Sequence, residues 1–414
     1  MKEVILHNLG NPKELEKLYR ENRTAFKQGF NLIYPEIKDD PAARTWHERL
    51  NYREQEVARG SDTELIIVIL SCLVAGLVAK MPEIIGVKED FFYQRNISFI
   101  VLPLLTAYFA WRNSVPVKNI VIASVITLVS VFHINLLPES SKSDTLLLAC
   151  IHLPFFLWTV LGYIFTGNDT GDLRKRLDFL RYNGDLLVMT AIILIAGAIL
   201  TGITIGLFAL IKIEIQEFYF RYIAVWGLAS APIVGTYLVQ TNPQLVSRVS
   251  PVIARVFTPL VLVMLVIYLI AVVQTGKDPY NDREFLLIFN ALMIGVMAII
   301  LFSITEHAER PVGRVGILLL SALCIVTILI SGIALSAIIF RITQFGITPN
   351  RLAVLGGDVL IFINLLLVIF RLLKAAGDSS KIGEVGKAIA AFLPLYSLWA
   401  ALVTFIFPVL FGFR

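Results

Sequence analysis

Four polar residues stand out within eighteen positions where one long apolar run ends and the next is entered: Arg341, Thr348, Arg351 and Asp358. The stretch RITQFGITPNR holds the first three, where one apolar run gives way to the next. Two guanidinium groups beside the open N–H groups of a helix start would hold an anion such as a phosphate or carboxylate. The same stretch also makes a complete turn with no ligand. Thr348 is a good N-cap, Pro349 suits the first helical position, and Gly346 supplies backbone freedom before them. Asp358 lies in LAVLGGDVLIF, about two helical turns into the following run. A carboxylate there must be paired, protonated or turned to a cavity, because a bare charge in hydrocarbon is costly. Two readings stand for it: an ion- or proton-coupling group in a transport path, or an acid used in helix packing. Arg351 precedes it by seven residues, about 10 Å along a helix axis, so a direct bond is not assured.

A second cluster is GDLRKRLDFLRYNGD, residues 171–185. Arg174, Lys175, Arg176 and Arg181 are placed to meet lipid headgroups, with Leu173, Leu177 and Leu180 turned to the acyl chains of an interfacial basic helix at 171–184. Each basic residue near an anionic surface contributes about 1 kcal/mol. The plainer reading is an anchor that fixes topology. His133 and His152 fall in neighbouring apolar runs, where they would either meet or serve as hydrogen-bonded packing residues. The TEHAER stretch at 305–310 reads as a solvated loop. HExxH, GxSxG, P-loop and dinucleotide-binding fingerprints are absent, and Cys72, Cys150 and Cys324 are widely spaced with no CxxC or Cys/His cluster, so neither a zinc site nor a disulfide framework is suggested. No catalytic residue, metal site or cofactor is expected.

These residues must be carried by membrane helices. The chain has 414 residues, 57% hydrophobic and 16% charged, against about 25% charged in a soluble domain. Apolar runs longer than 18 residues recur from residue 65 onward, which indicates an all-α polytopic transmembrane bundle. Eleven spans are expected, near 65–82, 96–112, 119–137, 145–166, 185–211, 219–240, 257–274, 284–304, 315–340, 350–373 and 386–412. Ala198, Gly202 and Gly206 form a small-residue face on the fifth, suited to close helix approach. Residues 1–64 are charged and read as a cytoplasmic amphipathic helical head, with residues 65–414 as the membrane domain. In the head, Asn11–Pro12 and Asp40–Pro41 each look like a cap followed by a first-turn proline, which predicts a helical hairpin. Eighteen Lys and Arg residues flank the spans on the side of the N-terminus and eleven on the other, placing the N-terminus inside. The net charge of +5 forms no nucleic-acid footprint, so the partners expected are the bilayer, anionic lipids in particular, and a protein bound through the head.

The phrase RITQFGITPNRLAVL, with FNLIYPEI and WHERLNYR in the head, resembles an uncharacterised family of bacterial polytopic inner-membrane proteins (DUF4153-like). That resemblance implies a location in the bacterial inner membrane and brings no reaction or substrate. Three classes remain open: transport of a small solute or ion, a non-catalytic scaffold or sensor of the envelope, and an enzyme acting on lipid-linked substrates.

Overall fold

The computed structural model describes residues 2–21, 23–51, 61–138, 143–167, 169–275, 280, 293–300, 303, 314–378 and 381–413. The chain divides into two compact units, Met1–Arg59 and Gly60–Arg414. Among the described residues there is no strand.

The head is built from α1 (Lys2–His7), α2 (Pro12–Glu21), α3 (Arg23–Ile37) and α4 (Pro41–Asn51). The two expected caps are in place. Asn11 Oδ1 accepts from Glu14 N at 3.4 Å, and Asp40 Oδ1 accepts from Ala42 N at 2.7 Å and Ala43 N at 3.1 Å. The expected hairpin corresponds to α2 and α3, on either side of residue 22, which lies outside the described residues, followed by α4; a further helix, α1, precedes it. Ile5 of that first helix joins Leu15, Phe26, Phe30, Ala43, Trp46 and Leu50 in one core, which a hairpin alone is too small to close. His47 stacks on Tyr34 with ring centroids 3.6 Å apart, a packing role. Val57 and the end of the predicted second helix lie outside the described residues.

The second unit is a polytopic helical bundle. Its helices are α5 (Asp62–Ile85), α6 (Glu89–Arg112), α7 (Val117–Leu136), α8 (Asp144–Thr166), α9 (Leu173–Leu210), α10 (Gln216–Thr241), α11 (Pro243–Thr275), α12 (Arg314–Phe345) and α13 (Pro349–Gly377). Then come α14 (Ile382–Ala390), α15 (Leu393–Ala401), a π turn at Leu402–Ile406, and α16 (Phe407–Leu410). Among the described residues, eight helices are long and apolar enough to cross a membrane, which makes this a multi-pass membrane protein. Of the eleven expected spans, two fall on helices outside these eight and a third falls mostly outside the described residues. The run at 96–112 belongs to α6, which also carries Glu89, Asp90, Arg95 and Arg112. That at 257–274 belongs to α11, whose apolar part is the shorter Val256–Ala271. The run at 284–304 lies outside the described residues except for 293–300, which is helical, and Ser303. TEHAER also lies outside them.

Stretch 171–184 is not a separate interfacial helix. Asp172 caps α9 through Arg174 N at 2.8 Å, and the helix then runs unbroken for 38 residues into the membrane. Leu180 is buried and Leu177 packs against the same core, so neither is turned to lipid as expected. Nor does the small-residue face of α9 bring helices together: a Cβ added at Gly202 or Gly206 would meet nothing within 4 Å. Close approach occurs elsewhere. A Cβ on Gly76 of α5 would fall 2.5 Å from Trp226 Cε3 of α10, and one on Gly356 of α13 would fall within the indole ring of Trp399. Around the first contact, Phe109, Leu161, Ile164, Phe179 and Tyr182 form a core shared by α5, α6, α8, α9 and α10. A second core joins α9 to α11, α12, α13 and α14 through Leu265, Leu323, Leu365 and Val385.

Candidate functional site

A concave feature lies at the end of the bundle where α5 stops. Gly86 ends α5 in a left-handed conformation with φ of 70°, its N–H reaching Pro82 O, and the chain turns directly into α6. Tyr93 Oη then donates to Ala79 O at 2.8 Å, fixing α6 against α5 one turn below that corner. Opposite them α10 begins with a π turn, Tyr219–Ala224, which inserts an extra residue into the helix. Such insertions re-aim side chains and are frequent at functional sites. Here the turn carries Arg221, which donates to Glu83 Oε1 from Nε at 3.0 Å and lies at 2.7 Å through Nη2. Lys80 Nζ meets the other oxygen, Oε2, at 2.7 Å and sits 4.7 Å over the Tyr222 ring.

Glu83 therefore bridges two cations that line a cleft of about 690 Å³. Its walls are apolar, formed by Ile97, Ile100, Val101, Val225, Leu228 and Ala229, while Lys80, Arg221, Glu89 and Glu217 stand at its rim. Lys80 and Arg221 have more N–H donors than Glu83 uses. Ile97 is 58% exposed and Leu228 60%, so the apolar walls continue onto the lipid-facing surface and the cleft opens sideways. A cavity of this size with apolar walls and a few charged groups suits a molecule with an apolar body and a polar head.

The site residues expected from the sequence are placed elsewhere. Thr348 caps α13, its Oγ1 accepting from Arg351 N at 3.3 Å. Arg351 Nη1 donates to Phe345 O at 2.9 Å and Gly346 O at 2.7 Å, so it closes the end of α12. Gly346 has φ of 77°, which a residue with a side chain seldom adopts. RITQFGITPNR is thus a doubly capped turn, and Arg341 does not join Arg351 in any bond among the described residues. Asp358 is buried at 3% exposure, and no cation pairs with it among the described residues. It lines neither this cleft nor the smaller cavity below. The glycine pair beside it is explained in part, since Gly356 makes room for Trp399.

Arg176 does line a cavity, of about 290 Å³, at the opposite end of the bundle. Arg174 is exposed and Lys175 partly so; Arg181 makes interactions within the chain. The two histidines do not meet: His133 Nε2 lies 3.0 Å from Thr404 O and His152 Nδ1 lies 2.9 Å from Leu148 O. Among the described residues no group of three or more His, Cys, Asp or Glu is arranged to hold a metal ion.

Sequence reasoning missed the cleft. Lys80 and Arg221 entered it only as charges flanking spans, and 138 residues separate Arg221 from Glu83. The local signal was the Lys80–Glu83 pair, an i,i+3 spacing at the end of an apolar run. Arg95, also counted as a flanking charge, is buried at 2% exposure and donates to Ile134 O at 2.6 Å and Leu137 O at 3.0 Å, closing the end of α7. Beside the start of α5, Glu64 pairs with Arg112 and accepts from Tyr108 Oη, a buried lock between α5 and α6. No family model, curated protein or solved structure matches the chain.

Proposed function

We propose that the protein is a transporter of an amphiphile, taken from the lipid phase into the cleft between α5, α6 and α10. One observation carries this reading: a laterally open cleft of about 690 Å³ has apolar walls and a rim bearing both Lys80 and Arg221 and both Glu89 and Glu217. Charge of both signs matches a zwitterionic head, whose cation faces the carboxylates and whose phosphate faces the cations. An inorganic ion would leave the apolar walls without a use, and Asp358 offers it no path through the described cavities. The location proposed is the bacterial inner membrane with the N-terminus cytoplasmic, in keeping with the excess of Lys and Arg on that side and with the family resemblance.

The test uses full-length protein in proteoliposomes containing phosphatidylethanolamine with a fluorescent label on one acyl chain. Transfer between leaflets is read as loss of protection from an impermeant probe of the amine, and headgroup preference by native mass spectrometry against phosphatidylglycerol. The expected result is faster transfer than in empty vesicles, with phosphatidylethanolamine retained preferentially; filling the cleft with Val225→Trp abolishes both. Headgroup-selective retention without transfer would replace transport by a lipid-dependent scaffold. Retention without preference, unchanged by Val225→Trp, would remove the cleft from consideration.

A further inference from the structure

The smaller cavity, at the end of the bundle where α5 begins, differs from the cleft in charge. It lies where α8 ends, α9 begins and α15 begins, and is lined by Thr159, Tyr163, Thr166, Thr170, Arg176 and Ser397 together with apolar residues. It has one cation and no carboxylate in its lining. We propose that it binds a phosphate group, with Arg176 as the charged contact.

The geometry of Arg176 supports this. Its Nε donates to Thr170 O at 2.9 Å, and Nη1 makes a long contact of 3.4 Å with Ala390 O. These two carbonyls hold the guanidinium across the gap between α9 and α14. No carboxylate pairs with it among the described residues. Asp172, the acid one turn earlier, is committed as the cap of α9. Guanidinium groups recognise phosphate oxygens through paired N–H donors, and here most of the group is already oriented by protein carbonyls. Hydroxyl groups complete the lining, those of Thr159 and Thr166 donating to Phe156 O at 2.7 Å and Tyr163 O at 3.1 Å and so serving to hold the wall. Thr159 and Ser397 lie 2.8 Å apart and bridge α8 to α15, so their positions are fixed before any ligand arrives. Two helix starts, Leu173 of α9 and Leu393 of α15, flank the cavity and bring the positive ends of their dipoles. Arg174 and Lys175 precede Arg176 directly and raise the local positive potential.

A volume of about 290 Å³ accommodates a phosphate with a small substituent, and would not enclose an acyl chain. The phosphate therefore either belongs to a lipid whose chains remain in the bilayer or is carried by a small soluble molecule. This site stands independently of the amphiphile reading, being at the other end of the bundle and built from other helices.

Full-length protein in phosphate-free, lipid-depleted detergent would be titrated with inorganic phosphate by calorimetry. In parallel it would be incorporated into nanodiscs containing phosphatidic acid and examined by native mass spectrometry after extraction. The expected result is binding of at least one probe, weakened about ten-fold to a hundred-fold in Arg176→Gln, as for loss of a charged hydrogen-bond partner. Arg174→Gln should reduce it by less than about three-fold, as for a charge outside the cavity. Ser397→Leu fills the cavity while leaving the Arg176 bonds in place, and should also abolish binding, which guards against misfolding of Arg176→Gln. Binding of inorganic phosphate that competes with phosphatidic acid identifies a soluble ligand; binding of phosphatidic acid alone identifies a headgroup. Equal binding in wild type and both cavity variants, or no binding of either probe, would overturn the proposal.

Discussion

The contact between Gly76 and Trp226 makes a sharp test of the packing that supports the cleft. Replacing Gly76 with Ala puts a methyl group 2.5 Å from Trp226 Cε3 and 2.9 Å from Cε2. Carbon atoms at rest lie about 3.5–4.0 Å apart, so one partner must move by about 1 Å. The indole is planar and wedged between helices, and cannot yield as the end of a flexible chain would. The movement therefore falls on the α5–α10 interface, and overpacking of this kind costs about 1–3 kcal/mol. Ala79 and Val225, which line the cleft, lie three residues after Gly76 and one before Trp226. Loss of stability should thus be accompanied by loss of amphiphile retention. Stability would be measured by titrating mixed micelles with SDS and following helicity by circular dichroism, for Gly76→Ala, Trp226→Leu and the double variant. The double variant should recover part of the loss, with a coupling of at least about 0.5 kcal/mol, because removing the ring removes the clash. Gly202→Ala is the control: nothing lies within 4 Å of its added Cβ, and its stability should change by less than about 1 kcal/mol. Additive losses in the cycle, or a Gly76→Ala protein as stable as wild type, would refute the reasoning.

Arg95→Met should lower stability by about 1.5–3 kcal/mol in the same titration, since it strips a charged donor from Ile134 O and Leu137 O inside the bundle. Thr348→Ala should cost about 1 kcal/mol as the loss of a helix cap, and Arg351→Ala should shift stability without changing the binding of phosphate or lipid probes; altered binding would restore the loop as a site. Asp358→Asn keeps the shape of a buried acid that no cation pairs with among the described residues, and should leave stability within about 1 kcal/mol of wild type; a large loss would reveal a partner for the carboxylate. In the head, hydrogen bonding from Arg20, reinforced by Arg49, holds the Glu16 carboxyl below its usual 4.5. Its folded value is depressed, so its contribution is present above about 4.5 and lost as pH falls through the lowered value. Hydrogen exchange of α2 and α4 should accelerate across that acid window, and the Glu16→Gln protein should lack the Glu16 part of the change.

What was legible in the sequence was local. Asn11, Asp40 and Thr348 were readable as caps because an N-cap bonds within three residues of itself, and all three bonds are present. Gly346 was readable as the turn residue for the same reason. The helical membrane class followed from run length and sparse charge. Long-range placement was not legible. The fate of 171–184 depended on whether Leu177 and Leu180 met lipid or protein, and periodicity gives the same stripe for both. Arg95 resembled any basic residue at a membrane edge until α7 was seen to end against it. Trp226 and Trp399 gave no hint that they filled glycine positions 150 and 43 residues away.

The distribution of charge along the bundle gives the strongest reason to read the two concavities as different in kind. Where α5 ends, Glu83 bridges Lys80 and Arg221, and Glu89 and Glu217 also line the cleft, so it carries both signs. Where α5 begins, the buried carboxylate of Glu64 is already paired with Arg112, and the cavity of Arg176 has no acid in its lining among the described residues. A scaffold needs neither arrangement. Buried or half-buried ions confer stability poorly because desolvation offsets their attraction, and packed apolar residues would hold these helices at least as well. These contrasting linings support the proposed ligands, a zwitterion for the one and a phosphate for the other.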